Sequence, residues 1–162
     1  MHSVQIDQYD ALLADKKQQI ETQFSRFEKP SLEIFSSPVK HFRQRAEFKI
    51  WHTENRCFHA MFERGTNNAP IEITDFPIAS EAIVNLMPVL LEELNQNIEL
   101  KRRLFQVEYL STLSGEMLVT LIYHRKVGDE WITAAKALKE KLGIHLIGRA
   151  KKMRILLDQD HV

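Results

Sequence analysis

Between residues 71 and 157, segments with the two-residue period of a β-strand alternate with two apolar stripes of helical period. The order from residue 71 is strand, helix, strand, strand, helix, strand, which is the order of the split βαβ, or ferredoxin-like, motif. The predicted strands cover residues 71–74, 105–113, 117–123, 144–147 and 153–157, and the predicted helices cover 79–94 and 131–142. This order predicts an α+β protein with a mostly antiparallel sheet and packed helices.

The two helical stripes carry recognisable breaker and end signals. Pro88 lies inside the first stripe, where a missing amide donor predicts a kink. Asp129 is predicted to cap the second helix, and Gly143 is predicted to end it.

Residues 1–68 form a first part of the chain, ahead of the βαββαβ-like part at 69–162. Apolar residues at three- and four-residue steps from Tyr9 to Phe27 predict an amphipathic helix that ends before Pro30. Residues 42–52 then alternate, which predicts a strand with one apolar and one basic face. A polar turn at 53–56 leads to an antiparallel partner at 57–62, and a further turn is predicted at 65–68.

The charge of the chain is balanced, with 22 Lys and Arg against 22 Asp and Glu in 162 residues. A hydrophobic content of 44% is enough for a core and excludes intrinsic disorder as the main description. The balance conceals four basic clusters, at residues 40–49, 101–103, 125–126 and 149–154. Such clusters either bind a polyanion or are solvated faces.

Several classes of function find no support in the sequence. The single cysteine, Cys57, excludes an internal disulfide, and we expect a buried, inert thiol there; no His or Cys spacing indicates a metal site. No glycine-rich nucleotide loop or nucleophile elbow is present, so no catalytic residue is predicted. Neither a secretory signal nor a long apolar segment is found, and we expect a cytoplasmic protein without membrane contact.

A basic strand face with interleaved aromatic residues is the remaining functional signal. Arg43, Arg45 and Lys49 share one face with Trp51. Such a face can neutralise phosphates and stack unpaired bases, which predicts a nucleic-acid-binding domain. The alternative is that Trp51 and Phe105 are core residues under a helix, and the period of two does place Phe105 on one face with Val107.

Three strings of the chain are distinctive as sequence motifs. The first is SPVKHFRQRAEFKIWH at residues 37–52. The second is LFQVEYLSTLS at 104–114 followed by YHRK at 123–126, and the third is HLIGRAKK at 145–152 with LDQD at 157–160. A weaker string is FPIAS at 76–80. In order and spacing, from about Gln8 to the end of the chain, these strings resemble the hallmarks of the bacterial tRNA (uracil-5-)-methyltransferase family.

The resemblance implies the RNA-binding, N-terminal part of an enzyme that makes 5-methyluridine in the T-loop of tRNA. In this family such a part precedes an S-adenosylmethionine-binding, Rossmann-like catalytic domain and helps to hold the T-arm, while the target uridine is extruded between the two parts. The resemblance assigns Arg43, Arg45 and Lys49 to the strand against the RNA, and Phe105 and His124 to the region of the loop and the flipped base. Where the family often has arginine, Lys49 supplies a point charge without a two-pronged grip.

The family's chemistry requires a cysteine thiolate that adds to C6 of uracil and a carboxylate base that removes the C5 proton. Cys57 lies in NRCF rather than in the family's Ser-Cys-Asn-Pro motif. We therefore expect the catalytic domain to lie beyond Val162, and this chain alone to be inactive and to bind no S-adenosylmethionine. Apolar surface that faces the missing domain is expected to favour self-association. Two alternatives stay open: a docking role whose basic clusters are solvated, and a self-contained small enzyme.

Overall fold

The computed structural model describes residues 6–62, 69–159 and 161–162, so the turn predicted at 65–68 lies outside the described residues. A 3-10 turn at Ile6–Gln8 leads into helix α1 (Tyr9–Gln23). The other helices are α2 (Glu81–Gln96), α3 (Ile98–Lys101) and α4 (Asp129–Leu142). The strands are β1 (Arg45–His52), β2 (Cys57–Met61), β3 (Ile71–Glu72), β4 (Leu104–Ser111), β5 (Met117–Tyr123), β6 (His145–Ala150) and β7 (Met153–Leu156).

These seven strands of the described residues form one sheet in the order β3-β2-β1-β4-β5-β6-β7. Every neighbouring pair is antiparallel except β5 and β6, which are parallel and connected through α4. The predicted α+β class with a mostly antiparallel sheet is confirmed. The hairpin β1–β2 lies between β3 and β4, so residues 1–68 and 69–162 contribute strands to the same sheet.

The order of elements after residue 70 is also as predicted, with the short helix α3 added before β4. The pairing differs from a split βαβ motif, in which another strand separates the two strands joined by a helix. Here β1 occupies the free edge of β4, and β6 pairs directly with β5. The order of strands along a chain does not determine which edges meet: the hairpin of the first part takes the free edge of β4, and β6 takes the edge of β5 that the first strand of the motif would occupy.

Helices α2 and α4 cover one face of the sheet and form a single core with it. Ala46, Phe48 and Ile50 of β1 point into this core, as their alternation predicts. Gly148 of β6 also faces the helices, because a Cβ atom there would lie 2.3 Å from the buried Trp131 ring. We call the opposite side of the sheet the outer face.

The ends of several elements differ from the predictions. α1 ends at Gln23 rather than near Phe27, and none of its residues is buried. Asp129 is not the cap of α4: Gly128 occupies the cap position without a side-chain bond, and Asp129 is the first helical residue, where its carboxylate faces the helix dipole. Gly143 ends α4 in the left-handed conformation, as predicted. None of the helices in the described ranges is both long enough and apolar enough to cross a bilayer.

Candidate nucleic-acid interface

A β-bulge in β4 decides where the Phe105 side chain points. Leu104 pairs with Tyr123 and Gln106 with Ile122, which leaves Phe105 as the extra residue between two paired positions. Leu104 and Val107 are both buried in the core, whereas Phe105 and Gln106 between them are only partly buried. A bulge re-aims a side chain in this way. The prediction that Phe105 shares a face with Val107 is therefore wrong, and Phe105 belongs to the outer face.

On that face the Phe105 ring stacks on the imidazole of His124, with ring centroids 4.0 Å apart and planes inclined by 21°. The Lys49 ammonium lies 3.9 Å from the centroid of the same Phe105 ring. An ammonium and an imidazole cannot occupy the same space above one ring face, so they lie on opposite faces of Phe105. The three side chains form a column in the order Lys49, Phe105, His124, with the exposed His124 at its outer end.

Hydrogen bonds hold Lys49 and His124, the two ends of the column, in place. Lys49 Nζ donates a hydrogen bond of 2.6 Å to Gln106 Oε1, and the amide nitrogen of Gln106 in turn donates to Glu108 at 3.0 Å. The backbone N–H of His124 donates to the carbonyl oxygen of Arg103. Arg103 itself has a φ of 55°, a left-handed conformation that non-glycine residues adopt at a cost. The positions of Lys49 and His124 are thus fixed by β1 and by the end of β5.

Beside the column lies a cavity of about 490 Å³. Its wall is mostly apolar, and Trp51 and Phe62 form part of it with their rings in edge contact at 5.8 Å. Trp51 is 43% exposed on the outer face, so the alternative that Trp51 and Phe105 are core residues under a helix is wrong. The cavity is lined by Lys49, Ile50, Trp51, His52, Phe62, Arg103, Leu104, Phe105 and His124.

The structure brings together three of the five residues predicted to contact RNA. Lys49, Phe105 and His124 form the column, whereas Arg45 lies four residues earlier in β1, about 13 Å along the strand. Arg45 is exposed and pairs with Glu47 at 3.3 Å. Arg43 precedes β1, forms an isolated bridge with Ala79 and is exposed beside the beginning of α2.

Phe62 and Arg103 line the cavity although the sequence did not single them out. Phe62 is the last residue of the predicted strand 57–62, and Arg103 belongs to the basic cluster 101–103, but neither pattern indicates a shared cavity. The outer face also holds an acidic pair, since Glu47 and Glu108 are direct cross-strand neighbours. On β1 the cations of the outer face, Arg45 and Lys49, therefore lie on either side of this acidic pair.

Cys57 is fully buried, and burial raises the pKa of its thiol to about 11, so the predicted burial of this thiol is confirmed. Among the glycines of the described ranges, only Gly128 lies between a strand and the helix that follows it, and this single residue is not a glycine-rich cofactor loop. No group of three or more potential metal ligands is found in the described ranges.

The site thus consists of two stacked rings and a cation beside an apolar cavity. The family described as tRNA (Uracil-5-)-methyltransferase matches residues 8–162. The chain is 55% identical over 157 residues to a tRNA/tmRNA (uracil-C(5))-methyltransferase of Acinetobacter baumannii (strain AYE), covering 95% of this chain and 44% of that protein. A protein with the same name from Chromohalobacter salexigens is 48% identical over 163 residues, with 98% and 44% covered.

The chain therefore belongs to the tRNA (Uracil-5-)-methyltransferase family, as its three sequence strings indicated. It spans less than half the length of the curated relatives that it matches.

Proposed function

We propose that this chain is the tRNA-binding part of an S-adenosylmethionine-dependent methyltransferase that forms 5-methyluridine in the T-loop of tRNA in the cytoplasm. The relatives' names supply the reaction and the substrate class. The column of Lys49, Phe105 and His124 is the observation that carries the proposal for this chain. Catalysis is assigned to a C-terminal domain of the same enzyme, and the chain alone is inactive, because its described residues offer neither an accessible thiolate nor a cofactor loop.

The column can hold a base that has left its helical stack. The 4.0 Å between the rings of Phe105 and His124 leaves no room for a base between them, so the base stacks on the outer face of His124. Lys49, on the far side of Phe105, adds positive charge within reach of phosphate oxygens. A neighbouring base can enter the apolar cavity beside Trp51 and Phe62. A platform of this type lowers the cost of flipping the target uridine, because each stacked base regains about 1–3 kcal/mol.

Titration of the chain with an unmodified T-arm hairpin at two salt concentrations tests the proposal. We expect weak binding that falls as salt rises, because phosphate contacts release counterions. His124→Ala should reduce the affinity roughly tenfold or more, because it removes the ring on which the base stacks. Phe35→Ala is the matched control, because Phe35 is 89% exposed in the segment after α1. Absence of binding at low salt, or equal reductions for both variants, would refute the role of the column.

The expected inactivity has its own measurement. Incubation of the chain with labelled S-adenosylmethionine and unmodified tRNA should give no methyl transfer. Any transfer would show that this chain is a self-contained small enzyme and would overturn the assignment of the chemistry to another domain.

A docking role is the second candidate, and the exposed apolar residues of the first part favour it. Phe24, Phe27 and Phe35 are 45%, 54% and 89% exposed, and Leu12 and Ile20 are exposed on α1. In the full-length enzyme this surface would pack against the catalytic domain, and in the isolated chain it should promote dimers. If docking is the only role, Arg43→Ala and Lys49→Ala in the full-length enzyme change its stability and leave its Michaelis constant for tRNA unaltered. A monomer by light scattering at high concentration would contradict the predicted self-association.

A further inference from the structure

The hairpin of β6 and β7 carries four cations in six residues: Arg149, Lys151, Lys152 and Arg154. No acidic residue occurs between Glu140 and Asp158. Within the described part of the chain, no ion pair involves Arg149, Lys151 or Lys152, and all three are exposed. The base-stacking role proposed for the column does not involve this hairpin, which is three strands away from β1 and its Lys49.

The register of the sheet places Arg149 and Arg154 on the outer face. Lys49 pairs with Gln106, Gln106 with Ile122, Ile122 with Arg149, and Arg149 with Arg154. Residues paired across strands point to the same face, so this row runs over the outer face from the column to the edge of the sheet. Gly148 confirms the orientation independently, because it faces Trp131 on the helical side and its neighbour Arg149 must point away.

The turn of the hairpin lies at the same end of the sheet as the column. Arg149 is level with Ile122, so the turn residues Lys151 and Lys152 lie beyond the end of β5, where His124 follows Tyr123. Arg103 lies at this end as well, because its carbonyl oxygen accepts the His124 backbone N–H. Four strand-to-strand steps of about 4.8 Å separate Lys49 from Arg154, a span of about 19 Å.

The hairpin places two cations side by side. Arg149 and Arg154 are direct cross-strand neighbours, and like charges in that position repel each other. Lys152 has a φ of 58° in the turn, a conformation that asparagine or glycine adopts more easily. A polyanion that crosses the outer face would offset this repulsion when it binds.

We propose that the β6–β7 hairpin is a second binding site for the same RNA, which holds the sugar-phosphate backbone beside the base that stacks on His124, one strand away from the end of β5. The inference rests on the proposed RNA-binding function and extends it: the column takes the unpaired base, and Arg149, Lys151 and Lys152 take phosphates of the flanking nucleotides. Because the contact is with phosphates, it is independent of sequence and sensitive to salt.

The test compares two triple variants that remove the same charge. Arg149→Gln/Lys151→Gln/Lys152→Gln neutralises the hairpin, and Lys16→Gln/Lys17→Gln/Lys136→Gln removes three exposed cations from α1 and α4. Both are titrated with the T-arm hairpin over a range of salt. We expect the hairpin variant to bind roughly tenfold more weakly, and the slope of log affinity against log salt to fall by about 0.7 for each phosphate that the variant no longer neutralises. The control variant should retain the slope of the wild type.

If the wild type binds the T-arm hairpin and the hairpin variant binds it with the same affinity and slope, the second site is refuted and the column is not. If the wild type binds no RNA, the proposed function itself fails.

Discussion

Two clusters of aromatic and histidine side chains lie on opposite faces of the same strands. On the core face, Phe48 contacts His59 with centroids 5.2 Å apart, and His59 Nε2 hydrogen-bonds the Tyr109 hydroxyl at 2.7 Å. On the outer face, Phe105 and His124 form the column with Lys49. The residue types are nearly the same, but the first cluster is buried and closed by its own hydrogen bond, whereas the second ends in an exposed ring.

The comparison teaches that partners and burial, rather than residue type, separate a structural cluster from a binding site. His59 is 1% exposed, and burial lowers its pKa to about 4. Tyr109 is fully buried, and its hydroxyl has His59 as its partner. Nothing in that cluster can reach a ligand. In the outer cluster the His124 ring lies at the surface beside a cavity, so a further ring can be added to the stack.

The largest expected effect comes from truncation of the core cluster. Phe48→Ala should lower the free energy of unfolding by about 3–5 kcal/mol, because it removes a fully buried ring that contacts His59, Phe76 and Tyr109. Phe105→Ala should cost less than about 1 kcal/mol of stability, because the ring is only partly buried. Urea denaturation of both variants measures the difference. Equal destabilisation would mean that Phe105 is a core residue, which would break the comparison.

The pH dependence of stability separates the two histidines. Because the pKa of His59 is about 4 in the folded chain and about 6.5 in an unfolded one, the unfolded state binds more protons between these values. The free energy of unfolding should therefore fall by about 3 kcal/mol as the pH drops from 6.5 to 4, with no further decrease from this group below pH 4. Urea denaturation at several pH values measures the fall.

His59→Gln should flatten this part of the curve, because the buried group that must stay neutral is gone. His124→Gln is the matched control, since it removes the histidine of the outer cluster and leaves His59 and Tyr109 in place. A curve that stays steep in His59→Gln would assign the pH dependence to other groups.

Periodicity predicted the core cluster well and the outer cluster only in part. The alternation of β1 correctly placed Phe48 in the core and Lys49 and Trp51 on the opposite face. The same reasoning failed at Phe105, because one extra residue at a bulge inverts the alternation, and nothing in the letters around it marks the bulge. The resemblance of residues 104–114 to a family hallmark assigns Phe105 to the surface that faces the RNA, and this assignment stays a prediction, whereas the period alone placed Phe105 on the core face.

Local sequence patterns also could not predict that the apolar stripe of α1 stays unburied, or which strands pair. An apolar stripe at helical period predicts a helix, and α1 is one, but burial depends on contacts with other elements, and none of the α1 residues is buried. Which strand edges meet is likewise a long-range property: the hairpin β1–β2 inserts between β3 and β4, and the row from Lys49 to Arg154 exists only because of that pairing. Such a row can be predicted from local sequence only when the order of the strands in the sheet is already known.

The smallest expected effect lies at the inner end of the column. Lys49→Gln should weaken binding of the T-arm hairpin roughly two- to fivefold, because it removes one positive charge near the phosphates of the RNA. Lys49→Arg should retain the affinity, since a guanidinium keeps the charge and can lie flat on Phe105. Lys136→Gln on the exposed side of α4 controls for the change in net charge. If Lys49→Gln and Lys136→Gln have the same small effect, Lys49 acts only through long-range charge, and the column reduces to the two stacked rings.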